Sequence, residues 1–307
     1  MTQAQKGICA EPNLHALFLT FTVVEDDPQA MRVKLAKILE LFSHFDDEYY
    51  EAMVSGIIAI GTNYWYELYP DIIPRELVPF PDIHCEDRNA PNSPGDLLII
   101  IKADRMDICH AIGVEVIQLL TPQVDLFEEV RGFRYLDDRD LMGFVDGTQK
   151  PRGMRKLAAA LVSDDDPDFA GGSYVHIQRY RHNMHKWQLL PINKQEQIFG
   201  RTKTTNTKLA ENDIAPFSHA IRASLNSQSS GEVNMLTQNM PYGDMSTQGL
   251  YFIACARSPQ PFIQMLQSRV VGDEQGHYDK LLDYTTAETG GAFFAPSVTF
   301  IKQQAKA

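Results

Sequence analysis

An α+β protein made of two related halves is the fold class this sequence predicts, and three observations predict it. Strand-like and helix-like stretches alternate from end to end. Residues 97–120 and 250–266 each run as a strand, an arginine-containing turn and an amphipathic helix, so the second half repeats the first in outline. The composition is that of a globular protein, with 307 residues, 44% hydrophobic and 22% charged, enough for one large domain or two medium ones.

Residues 14–24 are rich in β-branched and aromatic side chains, as a strand requires. Pro28 opens a helix whose apolar positions, Met31, Leu35, Ile38, Leu39 and Phe42, keep helical spacing. Residues 56–61 read as a short buried strand, and the six prolines between 70 and 94 predict a loop-rich stretch. Residues 96–103 form a third strand. Asp107 starts a helix to Leu120 with Ile108, Ala111, Ile112, Val116 and Leu119 on one face. In the second half, 172–180 is a strand, a helical region runs through Trp187 to Phe199, and 235–240 and 249–257 are strands. Pro259 then opens a helix through Leu266. The halves join within 122–170.

Net charge is −12 and no Lys/Arg run exists to neutralise phosphates, which argues against a nucleic-acid partner. Cysteines 9, 85, 109 and 255 form no Cys-x-x-Cys pair, so separate buried thiols in a reducing compartment are expected. Residues 1–13 show no basic patch followed by an apolar core, and no apolar run reaches the roughly 18 residues of a membrane span. A cytoplasmic location without a membrane partner is the expectation.

One stretch near the middle draws the chemistry. Asp146 stands between Gly143 and Gly147 with apolar neighbours, after the acidic run Asp137-Asp138-Arg139-Asp140 and before Pro151-Arg152-Gly153. Glycines allow positive φ and close backbone approach to a ligand. Taken alone, these residues do not outweigh an ordinary Asp-Gly turn.

Six segments change that balance: Gly143-Phe144-Val145-Asp146-Gly147-Thr148, Gly172-Ser173-Tyr174, Gly200-Arg201-Thr202-Lys203, Ser218-His219, Met240-Pro241-Tyr242-Gly243, and the run from Thr289 through Ser297. In this order and spacing the chain resembles the dye-decolourising peroxidase family, closest to its short bacterial cytoplasmic members, from about Gly7 to Pro296. The resemblance implies two ferredoxin-like halves, 1–140 and 141–307, with antiparallel sheets flanked by helices and haem b in the C-terminal half. It implies peroxide-dependent oxidation of dyes or phenols through a ferryl haem, and self-association as a homodimer or larger assembly.

The same resemblance assigns residues. His219 matches the axial iron ligand, and Asp279 the carboxylate that accepts the other ring N–H and so fixes the imidazole. Asp283, one helical turn away, competes for that second role. Arg201 matches the arginine that meets a haem propionate, a pairing that suits its planar fork. Asp146 matches the distal acid that moves a proton between the peroxide oxygens. Phe252, on the face shared by Leu250 and Ala254, matches an apolar shield over the haem.

Two departures stand out. The family's distal arginine, three residues before the Met of Met240-Pro241-Tyr242-Gly243, is Thr237 here. In a strand, Thr237 and Asn239 share a face, so both look into the pocket. Losing one preorganised donor of that kind lowers a rate by about 10²–10³. The chain is then a peroxidase attenuated by Thr237 and carried by Asp146 and Asn239, or a haem-binding or haem-iron-handling protein with little turnover, or the threonine is a substitution. The second departure is Gln149-Lys150, where relatives carry Glu-Asn.

Weaker signals have plainer accounts. His182 and His185, three apart, read as a solvated helix end rather than a metal pair. Asp164-Asp165-Asp166 lacks a calcium loop's spacing. Trp187 and Tyr242 are candidates for passing electrons to bulky substrates at the surface.

Overall fold

Antiparallel pairing decides the architecture. The computed structural model describes residues 2–25, 27–147, 151–224 and 235–306. The first half runs β1 (His15–Val23), α1 (Pro28–Glu48), β2 (Ser55–Gly61), α2 (Thr62–Leu68), a hairpin of β3 (Ile83–Cys85) and β4 (Arg88–Ala90), β5 (Leu97–Ala103), α3 (Met106–Leu120) and β6 (Val124–Phe133). The second runs α4 (Met154–Ala160), β7 (Ser173–His182), α5 (Met184–Gln188), α6 (Ile192–Phe199), α7 (His219–Arg222), β8 (Leu236–Thr237), β9 (Met240–Gly243), β10 (Gln248–Ala256), α8 (Gln260–Val270), β11 (Thr285–Ala295) and α9 (Val298–Gln304).

The first half contributes strands in the order β2-β5-β1-β6, and the second β11-β7-β10 followed by β9 and β8. Each is the βαββαβ order of a ferredoxin-like unit, with the fourth strand beside the first. The two sheets also join each other. Strand β11 pairs with β2 at Phe294 and Ile60, and β6 meets β9 at Gly132 and Tyr242. Because β7 also pairs with β10, the strands close on themselves, which removes most exposed sheet edges.

Closure makes two kinds of core. Inward side chains of both halves share one interior, including Phe18, Ile57, Ile100, Val175, Ile177, Ile253 and Phe293. There Phe18 stacks on Tyr251 with centroids 4.2 Å apart. Outward side chains of the first half are covered by α1 and α3, through Leu35, Ile38, Ile112 and Val116. With both faces buried, all seven residues of β5 are inside, which explains its near-continuous apolar sequence rather than an alternating one.

The structure adds elements that the sequence left as loop. The proline-rich stretch carries the β3–β4 hairpin, and 124–133 is a long strand whose Asp125, Glu129 and Arg131 are exposed while Glu128 pairs with Arg179. The expected strand 235–240 is two short strands, interrupted at Gln238-Asn239, where Asn239 Oδ1 accepts the Ile253 N–H in place of a backbone carbonyl. Cys109 and Cys255 are buried, Cys9 and Cys85 half-buried, and all four are free thiols. Among the described residues no helix is long and apolar enough to cross a membrane.

Candidate active site

Backbone geometry builds the first part of the site. Gly143 has φ +94° and Gly147 φ +64°, so the loop bearing Asp146 needs glycine at both ends. The Asp146 N–H donates to Asp138 O at 2.9 Å, and Val145 bridges to Arg139. Trp187, fully buried, donates its Nε1–H to Met142 O at 3.0 Å and lies edge-on to Phe144. Asp140, also buried, accepts the Leu141 N–H and lies 3.0 Å from His182 Nε2. Thr148, Gln149 and Lys150 lie outside the described residues, and with them the departure expected there.

Asp146 faces the interrupted strand. Asn239 Nδ2 donates to its Oδ1 at 2.9 Å. The alternation expected for this strand is present: Leu236 packs into the shared interior, while Met235 joins Phe252 and Ala254 on the outer face. Gln238 turns inward, accepting from Lys102 Nζ and donating to the Gly7 and Ile8 carbonyls. Thr237, half-buried and paired with Ala254, therefore stands on the outer face with Asn239. Phe252 is buried on the same face, next to the Ile253 N–H that Asn239 accepts.

The second part is assembled by α6 and α7. Gly200 closes α6 in the left-handed region at φ +82°, and a Cβ there would come within 2.8 Å of Ala220 Cβ, so only glycine lets the two helices meet. That contact sets Arg201 and His219 near one another in space. Phe199 links this cluster to the first: it stacks on Phe144 at 3.9 Å and lies 5.4 Å from the His219 ring.

His219 Nδ1 lies 2.8 Å from Asp279 Oδ2. Asp283 is engaged elsewhere, accepting from Tyr278 Oη and paired with Lys280, which leaves Asp279 as the carboxylate beside the ring. Asp279 is fully buried and also accepts from Arg269 Nε at 2.7 Å and from the Leu281 N–H at 3.1 Å. Burial pushes its carboxyl up, but His219 and Arg269 outweigh that and hold it well below the usual carboxylate range. His219 keeps 29% of its side chain accessible, and Nε2 carries no hydrogen bond among the described residues.

Arg201 is half-buried. Its Nη1 donates to Asn206 O at 2.9 Å, and it has no acidic partner among the described residues. Burial lowers its pKa, the signature of a cation stripped of water without compensation.

Sequence reasoning missed two residues here, Arg139 and Arg269, and placed two others wrongly. Arg139 Nη1 donates to Gly143 O at 2.8 Å and Lys203 O at 2.7 Å, tying the Asp146 loop to the Arg201 loop. It stood inside an acidic run and gave no sign of that reach. Trp187, read as near the surface, is a buried prop for the loop, and Tyr242 is buried as well. Arg269 had a signal: it sits seven residues after Phe262, on the apolar stripe of α8, where a cation is out of pattern.

The histidine pair also reads differently in space. His182 ends β7 and is buried between Asp140 and Thr285, while His185 lies on α5, so they do not share a helix face. Among the described residues no group of three or more His, Cys, Asp or Glu is placed to hold a metal ion. The 164–166 acids lie on a largely exposed loop, as expected.

A buried carboxylate holding one imidazole, a half-buried arginine and an acid–amide pair thus stand around the stacked Phe144 and Phe199 rings. Family models give the particular class. The Dyp-type peroxidase N-terminal model matches residues 5–134 and the C-terminal model residues 137–300, and the chain belongs to this family. A dye-decolorizing peroxidase of Rhodococcus erythropolis is 37% identical over 93% of this chain and 84% of its own length. A Dyp-type peroxidase structure from Shewanella oneidensis superposes with a TM-score of 0.96 at 42% identity, covering 99% of both chains. Rhodococcus jostii DypB, solved as a variant in complex with heme, gives 0.92 at 33% identity over 98% of this chain and 99% of that one.

Proposed function

We propose that this chain oxidises dyes or phenolic compounds with hydrogen peroxide at a haem b held by His219, with Asp146 handling the peroxide protons. Family membership and the names of its relatives support the haem peroxidase activity. The observation that carries the residue assignment is the His219 imidazole, whose Nδ1 is pinned to Asp279 while Nε2 is left without a partner among the described residues.

The residues fit the group. His219 offers one neutral nitrogen of fixed tautomer, as an axial ligand requires. Arg201 offers an uncompensated guanidinium to a propionate carboxylate. When bound, the haem would supply the two electrons that reduce the peroxide and would recover them from the dye or phenol.

The rest is the protein's own. Asp146 accepts a proton from one peroxide oxygen and delivers it to the departing one. Asn239, bonded to Asp146 Oδ1 and to the Ile253 N–H, orients that carboxylate and adds a polar N–H to the pocket. Thr237 contributes a hydroxyl where an arginine would bring a charge, so the departing oxygen's negative charge is less well stabilised. Phe252 keeps the outer sheet face apolar and dry. We also take the chain to work in a reducing cytoplasm, supported by its free cysteines, and to self-associate, which sedimentation of the haem-loaded protein tests.

The decisive experiment mixes haem-reconstituted protein with hydrogen peroxide in a stopped-flow spectrometer, beside Thr237→Arg. A fast change of the haem spectrum in both means Asp146 suffices. A change in the arginine variant alone means this chain binds haem with its peroxide chemistry suppressed.

A further inference from the structure

We propose that Arg269 is a positioning residue that sets how strongly His219 donates electrons, by sharing the one carboxylate oxygen that holds the imidazole. The inference rests on the reading of His219 as the axial ligand. Asp279 Oδ2 receives two donors, His219 Nδ1 at 2.8 Å and Arg269 Nε at 2.7 Å. The direction of every proton in this chain is fixed. Tyr180 Oη donates to Gln178 Oε1 at 2.6 Å, so it can only accept from Arg269 Nη1, which lies 2.9 Å away. Arg269 is therefore a donor at both ends and cannot rotate away from Asp279 without leaving the Tyr180 oxygen.

The physical consequence follows from charge. Asp279 is fully buried, Arg269 is 4% exposed, and Tyr180 and Gln178 are buried beside them. In such surroundings an unshielded carboxylate would pull strongly on the imidazole proton and give His219 imidazolate character. A guanidinium bonded to the same oxygen withdraws that pull. His219 then donates as a near-neutral imidazole, which leaves the iron easier to reduce and its peroxide-facing side more electrophilic. A structural ion pair alone would not require both donors on one oxygen, nor a second anchor that fixes the guanidinium's orientation.

The test compares haem-loaded parent, Arg269→Gln and Arg269→Lys by two readouts: the iron–histidine stretching band of the ferrous protein in resonance Raman, and the haem midpoint potential. Arg269→Gln is expected to raise the stretching frequency and lower the potential. Arg269→Lys keeps the charge but loses the planar fork, and is expected to shift both the same way by less. Parent-like band and potential in a folded Arg269→Gln overturn the proposal, whatever its melting temperature, because they leave Arg269 only a structural role. Should Arg269→Gln not fold, parent-like values in Arg269→Lys overturn it equally. A parent protein with no iron–histidine band would overturn both this inference and the axial role of His219, whereas a normal parent band with unshifted variants overturns the inference alone.

Discussion

His219 is held by a buried chain, Asp279, Arg269, Tyr180 and Gln178, in which a carboxylate and a guanidinium balance each other. Asp146 sits instead on a glycine-bounded loop, half-buried, with its Oδ1 accepting from Asn239 Nδ2. The contrast is one of tolerance. A buried, charge-balanced network loses several kcal/mol when one member is removed, because the partner charge is stranded. A half-buried acid on a surface loop can lose or gain a neighbour with less effect on folding. Substitutions that tune activity without unfolding the protein therefore belong on the Asp146 side, and Thr237 occupies such a position.

The comparison is sharpest at the ligand itself. His219→Ala should abolish coordinated haem binding, read as loss of the iron–histidine band and of the Soret shift on titration. Retention of both would place the ligand elsewhere. Asp146→Ala should slow the reaction with peroxide by about 10²–10⁴ while leaving haem affinity and melting temperature near the parent's. A large fall in melting temperature would mean that the two sides do not differ in tolerance as argued. Thr237→Arg should raise the peroxide rate by about 10²–10³, and much of that gain should vanish in an Asp146→Ala background if the two act on the same step.

Two smaller effects probe the supports. Asn239→Ala removes the acceptor of the buried Ile253 N–H and should destabilise by about 1–3 kcal/mol in denaturant unfolding, more than Asp146→Ala does. His176 lies on β7 two residues from Gln178, with both ring nitrogens unpaired among the described residues and its ring stacked 4.3 Å from Phe262. Burial pushes its pKa down to about 3. The unfolded chain, with an ordinary histidine near 6.5, then binds a proton that the folded one refuses, so stability is lost as pH falls from about 6.5 toward 3. His176→Leu should flatten that slope by about 1.4 kcal/mol per pH unit, checked by unfolding at stepped pH. An unchanged slope would mean that His176 is not what makes this flank of the ligand side acid-sensitive.

Local patterns made much of the fold legible. The helical spacing of Met31, Leu35, Ile38 and Phe42 and the β-branched density of 14–24 report burial of one face or of both, and burial is what composition encodes. Element ends and the 124–133 strand were harder. That strand mixes charged and apolar residues without a clean alternation, so its pairing with β1 decides it, and pairing is not local. The glycines around Asp146 were legible as a place where the backbone takes positive φ. The resemblance singled out His219, Arg201, Asp279 and Thr237 before any coordinates.

Tertiary structure alone decided the choice of Asp279 over Asp283. Both stand within a few residues of one another, and only the path of the chain after Gly276 puts one beside His219 and the other beside Lys280. It also decided the closure of two sheets into one, the reach of Arg139 between two loops, and the burial of Arg269, Trp187 and His182. The division has a physical origin. Sequence periodicity records how each residue partitions between water and interior. Which charge meets which depends on distances between segments that sequence separation does not set.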